Sequence, residues 1–153
     1  MNSGVAIALG SNLGDREAHL AFAVERLGQL LTNLRVSSAY RTAPVGVPAQ
    51  PDFLNAAAIG GCALPPRALL DALLGIEAAR GRVRPHPGAP RVLDLDLVLY
   101  GDAVIDEPGL RVPHPRFRDR EFVLAPLAEV APDWRDPVSG RTIVELRAAL
   151  AGR

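Results

Sequence analysis

The chain has 153 residues, 17 basic and 17 acidic, for a formal charge of zero, which excludes the basic footprint that nucleic-acid or membrane-surface binding needs. Its 48% apolar and 22% charged content is that of an ordinary globular chain, and the length predicts one domain over 1–153. The lone cysteine, Cys62, excludes an intrachain disulfide, and the lack of any lysine excludes a Walker-type phosphate loop, which ends in Gly-Lys-Ser/Thr.

Val5 to Leu9 is a short apolar run that predicts a buried strand stopped by Gly10-Ser11-Asn12. Asp15 is placed to cap a helix in which Leu20, Val24, Leu27 and Leu31 recur at helical spacing. Leu34 to Tyr40 alternates and predicts a second strand. Residues 43–52 hold three prolines and a glycine and predict a loop; at about ten residues it exceeds the common length, as functional loops do. Phe53 to Cys62 predicts a third strand. Pro65-Pro66 opens a helix carrying Leu69, Leu70, Leu73 and Ile76, with Gly81 placed to end it.

A second Pro- and Gly-rich loop covers 82–90, and Val92 to Tyr100 is the most strand-like segment of the chain. Gly101-Asp102 predicts a turn back into Val104-Ile105. Pro108, Pro113 and Pro115 predict an extended stretch, Phe122 to Val130 a helix despite Pro126, and Thr142 with Glu145 a capping box. The order strand, helix, strand, strand, helix, strand is the βαββαβ ferredoxin-like pattern of the α+β class. It predicts an antiparallel sheet with helices on both faces, the two main helices on one and the C-terminal helices on the other. No run approaches ~18 apolar residues, and Met1 to Gly4 has no positive charge ahead of the apolar run, so the expected location is cytoplasmic.

The chemistry concentrates in Arg91-Val92-Leu93-Asp94-Leu95-Asp96-Leu97-Val98-Leu99. Alternation puts Leu93, Leu95, Leu97 and Leu99 on one face and Asp94 and Asp96 on the other, roughly 6.5–7 Å apart. Two readings of the paired carboxylates stand. Either they face water, or they hold a divalent cation such as Mg²⁺, which takes one or two carboxylates plus substrate phosphates. The acid-free run just upstream, with Arg80, Arg82, Arg84, His86 and Arg91, supplies the bidentate donors that phosphate groups need. Carboxylate-held metal beside arginine-held phosphate is the machinery of phosphoryl transfer. Phe53 and Asn55 share a strand face, where a flat heterocycle could stack on one and hydrogen-bond the other. His114 stands ahead of Arg116, Arg118 and Arg120 without metal-ligand spacing.

Pro90 to Val98 resembles the signature of the 6-hydroxymethyl-7,8-dihydropterin pyrophosphokinases of folate synthesis. The resemblance continues, in family order, in Ala8-Leu9-Gly10-Ser11-Asn12-Leu13, Ser37 to Thr42, Gln50 to Ala56, Ile76-Glu77, Gly81-Arg82-Val83-Arg84, Val112-Pro113-His114 and Arg120-Glu121-Phe122. It implies the ferredoxin-like fold and transfer of the β,γ-pyrophosphoryl group of ATP to the pterin hydroxymethyl oxygen, with AMP leaving. It also implies two Mg²⁺ ions on Asp94 and Asp96, and Arg82 and Arg91 stabilising the transferring phosphates. Gly10, Thr42, Val45, Phe53, Asn55 and Phe122 match pterin-site positions; Glu77, Arg84, Leu97, His114 and Arg120 match ATP-site positions. Gly109 stands where an ATP-contacting arginine can sit, with Arg111 its nearest replacement. Pro87-Gly88 stands where an Arg-Trp pair can occur. The expected partners are the two small-molecule substrates, with no nucleic acid and no membrane, and the expected state is a monomer. The alternatives are a non-catalytic ferredoxin-like module that binds a small ligand, and a metal-dependent phosphohydrolase.

Overall fold

The structure, a computed structural model, describes residues 3–43, 51–81 and 92–153. Its main sheet has the strand order β2-β4-β1-β5, all antiparallel, built from β1 (Ser3–Ser11), β2 (Thr32–Val36), β4 (Phe53–Cys62) and β5 (Asp94–Tyr100), with β3 (Tyr40–Thr42) also paired to β4. Helices α1 (Arg16–Leu30) and α2 (Pro66–Ala79) are the two crossovers, and α3 (Glu121–Val130) and α4 (Ile143–Ala151) follow the sheet. This is the expected βαββαβ arrangement.

The pleat decides which helix packs where. Val5, Ile7 and Leu9 of β1 meet Leu20, Ala23 and Leu27 of α1 and Leu69, Leu73 and Ile76 of α2. The alternate residues, Ala6 of β1 with Ala57 and Ile59 of β4, meet Leu124 and Leu127 of α3 and Ile143 and Leu146 of α4. Both faces of the sheet are therefore covered, which is why Leu54 to Ile59 is buried without a break. A fully buried leucine of this kind contributes roughly 1.5–3 kcal/mol.

The local signals act as expected. The Asp15 carboxylate accepts the Ala18 N–H at 3.0 Å and caps α1. Pro66 occupies the first turn of α2, and Gly81, at φ +85°, follows its last turn. Thr142 and Glu145 form both halves of the capping box of α4.

Four expectations need correction. Gly10 and Ser11 do not stop the first strand but extend it, because β4 and β5 supply backbone partners on both sides up to Gly10. The predicted strand 34–40 is two short strands, broken where Ser37 donates its N–H to Ala57 O and accepts the Ala57 N–H on its own hydroxyl, both at 2.9 Å. The leucines of β5 do not all share a face. The register slips between Ala6 and Ile7, which pair with Leu99 and Leu97. Val98 is thus the extra residue of a bulge, and both Val98 and Leu99 pack toward α3 and α4. Finally, the expected turn at Gly101-Asp102 is present, with the Ala103 N–H donating to Tyr100 O at 3.0 Å, but 108–116 is not merely extended: β6 (Ile105–Glu107) pairs with β7 (Leu110–Val112) in a separate hairpin.

Candidate functional site

One transverse row of the sheet organises the site. Tyr40 of β3 is opposite Asn55 of β4, Asn55 is opposite Gly10 of β1, and Gly10 is opposite Asp94 of β5. The next row sets Ala57, Ala8 and Asp96 side by side. Cross-strand neighbours point the same way, so Asn55, Asp94 and Asp96 converge on the face that α3 partly covers.

There a small pocket is lined by Ala8, Leu9, Gly10, Phe53, Asn55, Asp94, Asp96 and Phe122. Four of the pterin-site residues named from the sequence are brought together here, and Thr42 is tied to them: Asn55 Nδ2 donates to Thr42 Oγ1 at 2.7 Å. A Cβ on Gly10 would lie 3.3 Å from Asn55 Oδ1 and 3.8 Å from Phe53, so the bare glycine leaves the pocket floor open. Arg16 Nη1 donates to Asp52 O at 2.6 Å, which holds the backbone just ahead of Phe53. The Arg120 guanidinium lies 5.5 Å from the centre of the Phe122 ring.

A second cleft, of about 380 Å³, opens beside the first and is lined by Leu70, Leu95, Asp96, Leu97, Gly109, Leu110, Arg111, His114 and Pro115. It collects three of the expected ATP-site residues, Leu97, Arg111 and His114. The His114 N–H donates to Val98 O at 3.0 Å, so the bulge in β5 anchors this wall. His114 Nδ1 accepts the Arg116 N–H at 3.1 Å, which leaves Nε2 to carry the proton of the neutral ring. Burial, then the charges of Arg120 and Arg116, push the His114 pKa down, against a smaller pull from Asp94. Arg111 is ion-paired with Asp106 at 3.2 Å, both well exposed. A third depression along Glu121, Val144, Arg147 and Leu150 is larger, at about 590 Å³, but lies on the outer side of α3 and α4 and holds none of the expected residues.

Asp96 lines both inner pockets. The two aspartates are half-buried, and the described residues contain no group of three or more His, Cys, Asp and Glu able to hold a metal unaided. That donor set fits Mg²⁺, which is held by one or two carboxylates and completes its shell with substrate phosphates and water. Glu77 is not in either pocket. It is buried behind β5, where Glu77 Oε2 accepts the Leu95 N–H at 2.6 Å. Arg82, Arg84, Arg91 and Val45, with His86 and Pro87-Gly88, lie outside the described residues.

Leu70, Leu110 and Pro115 belong to the second cleft and were not singled out from the sequence. Leu70 carries an ordinary core-helix signal, and Leu110 and Pro115 fall in a proline-marked stretch that by sequence reads as extended chain, with no local sign of the hairpin or of the His114–Val98 contact that bring it to β5.

A family model described as 7,8-dihydro-6-hydroxymethylpterin-pyrophosphokinase matches residues 6–132. The 2-amino-4-hydroxy-6-hydroxymethyldihydropteridine pyrophosphokinase of Methylorubrum extorquens is 46% identical over 147 residues, covering 94% of this chain and 91% of the relative. Its namesake in Synechocystis sp. is 44% identical over 146 residues, covering 94% and 74%. A crystal structure of a Plasmodium falciparum HPPK-DHPS chain superposes with a TM-score of 0.81 at 14% identity. It covers all of this chain, which spans 44% of that longer one, and at that identity it speaks for the fold alone. A match over most of the length, with relatives above 40% identity, means that the chain belongs to the 7,8-dihydro-6-hydroxymethylpterin-pyrophosphokinase family.

Proposed function

We infer that this chain transfers the pyrophosphoryl group of ATP to 6-hydroxymethyl-7,8-dihydropterin in folate biosynthesis, giving the pterin diphosphate and AMP. Family membership supports the reaction. The observation that carries the assignment of the site is the position of Asp96, which borders the small aromatic pocket and the larger cleft at once. A reaction that joins two substrates needs its reacting atoms within roughly 3–3.5 Å of each other, and the junction of the two pockets is where the substrates would meet.

In this reading the pterin lies between Phe53 and Phe122, with its polar edge on Asn55 and with Gly10 and Thr42 completing the walls. ATP occupies the second cleft against Leu97, Arg111 and His114, with Arg120 nearby. The His114 Nε2–H faces the nucleotide as a neutral donor. Glu77 acts from behind β5 rather than from the cleft wall. Asp94 and Asp96 would hold Mg²⁺, two ions in the expected arrangement, and the metal supplies charge neutralisation on the phosphates. The pterin hydroxymethyl oxygen forms a bond to the β-phosphorus. The bond from that phosphorus to the oxygen bridging to the α-phosphate breaks, AMP leaves with that oxygen, and the hydroxyl proton is released. Arg82, Arg84 and Arg91 are assigned to the phosphates by the family resemblance, and Val45 to the pterin. Residues 1–153 acting as one domain, as a monomer and in the cytoplasm complete the reading; no helix among the described residues is long and apolar enough to cross a membrane.

The test is to incubate the protein with ATP, Mg²⁺ and hydroxymethyl-dihydropterin and separate the nucleotides. AMP should form in step with pterin diphosphate. ADP as the product would contradict the assignment, and so would phosphate release that does not need the pterin, or no turnover.

A further inference from the structure

The sheet row that ends at Asp94 begins at Tyr40, and Tyr40 is held from outside the sheet. Glu129 lies on α3 seven residues after Phe122, roughly 10 Å farther along the helix axis. Its carboxylate takes three hydrogen bonds. Oε2 accepts the Ser38 N–H at 2.9 Å, and Oε1 accepts the Ser38 and Tyr40 hydroxyls, both at 2.7 Å. Hydrogen bonds to an ionised acceptor are about twice as strong as neutral ones.

These bonds matter because of what they hold. β3 has three residues and, among the described residues, pairs only with β4. A strand this short at a sheet edge has little pairing of its own to fix it. Yet β3 supplies Thr42, whose hydroxyl takes a proton of the Asn55 amide. With Nδ2 turned toward Thr42, Asn55 Oδ1 is the atom that faces the open floor over Gly10. The amide of a buried Asn55, which borders the small pocket, is therefore oriented through a chain that starts on α3. The same helix carries Phe122 on the opposite wall of that pocket.

We propose that Glu129 is a positioning residue for the pterin site: by clamping Ser38 and Tyr40 it sets β3, and through Thr42 it fixes which atom Asn55 presents to the substrate. The inference rests on the pterin reading of the small pocket. It makes one helix responsible for both the aromatic wall and the hydrogen-bonding edge.

Glu129→Ala, Glu129→Gln and Tyr40→Phe test it, with steady-state kinetics in both substrates, thermal melting, and the side-chain amide resonances of Asn55 in ¹⁵N-labelled protein. The expected result for Glu129→Ala is a rise of about tenfold in KM for the pterin, the scale of losing one well-placed polar contact. KM for ATP should stay as in the wild type, and the Asn55 amide signals should move. Glu129→Gln, which keeps an acceptor, should recover part of the loss, and Tyr40→Phe should show a smaller change of the same kind. An unchanged pterin KM with unmoved Asn55 signals overturns the proposal, as does an equal rise in both KM values that tracks the melting temperature. If the wild type forms no AMP, the proposed reaction falls. The Asn55 resonances still decide the clamp: movement in Glu129→Ala supports it, and superposition on the wild-type spectrum removes it.

Discussion

The Glu77 carboxylate accepts the backbone N–H of Leu95 at 2.6 Å, midway between Asp94 and Asp96. Among the described residues β5 is an edge strand of the sheet, paired on one side to β1. Its outward N–H at Leu95 would otherwise be buried without that partner, and α2 provides the acceptor. The contact fixes the stretch of strand from which both aspartates project.

Glu77→Leu should therefore cost roughly 1–3 kcal/mol of stability, the price of a buried donor losing its acceptor. Glu77→Gln, which can still accept, should cost less. Urea unfolding measures both, and equal stability of the leucine variant and the wild type would show that Glu77 does not support the strand.

Gly10→Ala tests the floor of the small pocket. The added methyl would sit 3.3 Å from Asn55 Oδ1, so Asn55 must yield by a few tenths of an ångström. KM for the pterin should rise severalfold, as expected when a positioned polar contact is displaced, with KM for ATP and the melting temperature nearly unchanged. A larger effect on ATP than on the pterin would misplace the two substrates.

The acid limb of stability should depend on Asp136. Burial of this residue raises its pKa, but hydrogen bonds from Arg118, the Ser139 hydroxyl and the Val138 N–H more than offset that and hold it at about 2. The folded value is below the unfolded one, so the stabilisation is present above about pH 4 and is lost as pH falls toward 2. It amounts to about 2 kcal/mol at neutral pH. Urea midpoints measured from pH 5 to 2 should fall less steeply in Asp136→Asn than in the wild type; parallel slopes would remove this residue from the acid transition.

Asp94→Asn and Asp96→Asn should each lower kcat by roughly 10²–10³-fold or more, the scale seen when one charge-stabilising group is lost. Both side chains are half-buried on the small pocket, with Asp96 also bordering the larger cleft, rather than packed in the core, so thermal melting should move little. Activity retained in both variants would remove them from the reaction.

Much of this was legible in the residues. The alternation of Asp94 and Asp96 against Leu93, Leu95 and Leu97 marked which side chains face the α1–α2 core, because a one-residue slip would turn those leucines away from it. Asp15, Pro66, Gly81 and the Thr142–Glu145 box marked the helix ends, because those signals act within one turn. What escaped was tertiary. The Val98 bulge depends on the register against β1, and the β2–β3 break depends on Ser37 meeting Ala57 across the sheet. Glu129, 91 residues after Ser38, carries no local sign of the strand it holds.

The most direct measurement is a crystal structure with Mn²⁺, a non-hydrolysable ATP analogue and the pterin, in which anomalous scattering locates the metal. Metal peaks within bonding distance of the Asp94 and Asp96 carboxylates, with the analogue's phosphates on their other side and the pterin beside Asn55, are the result expected here. Metal bound only to the nucleotide, with both carboxylates turned to solvent, would contradict it.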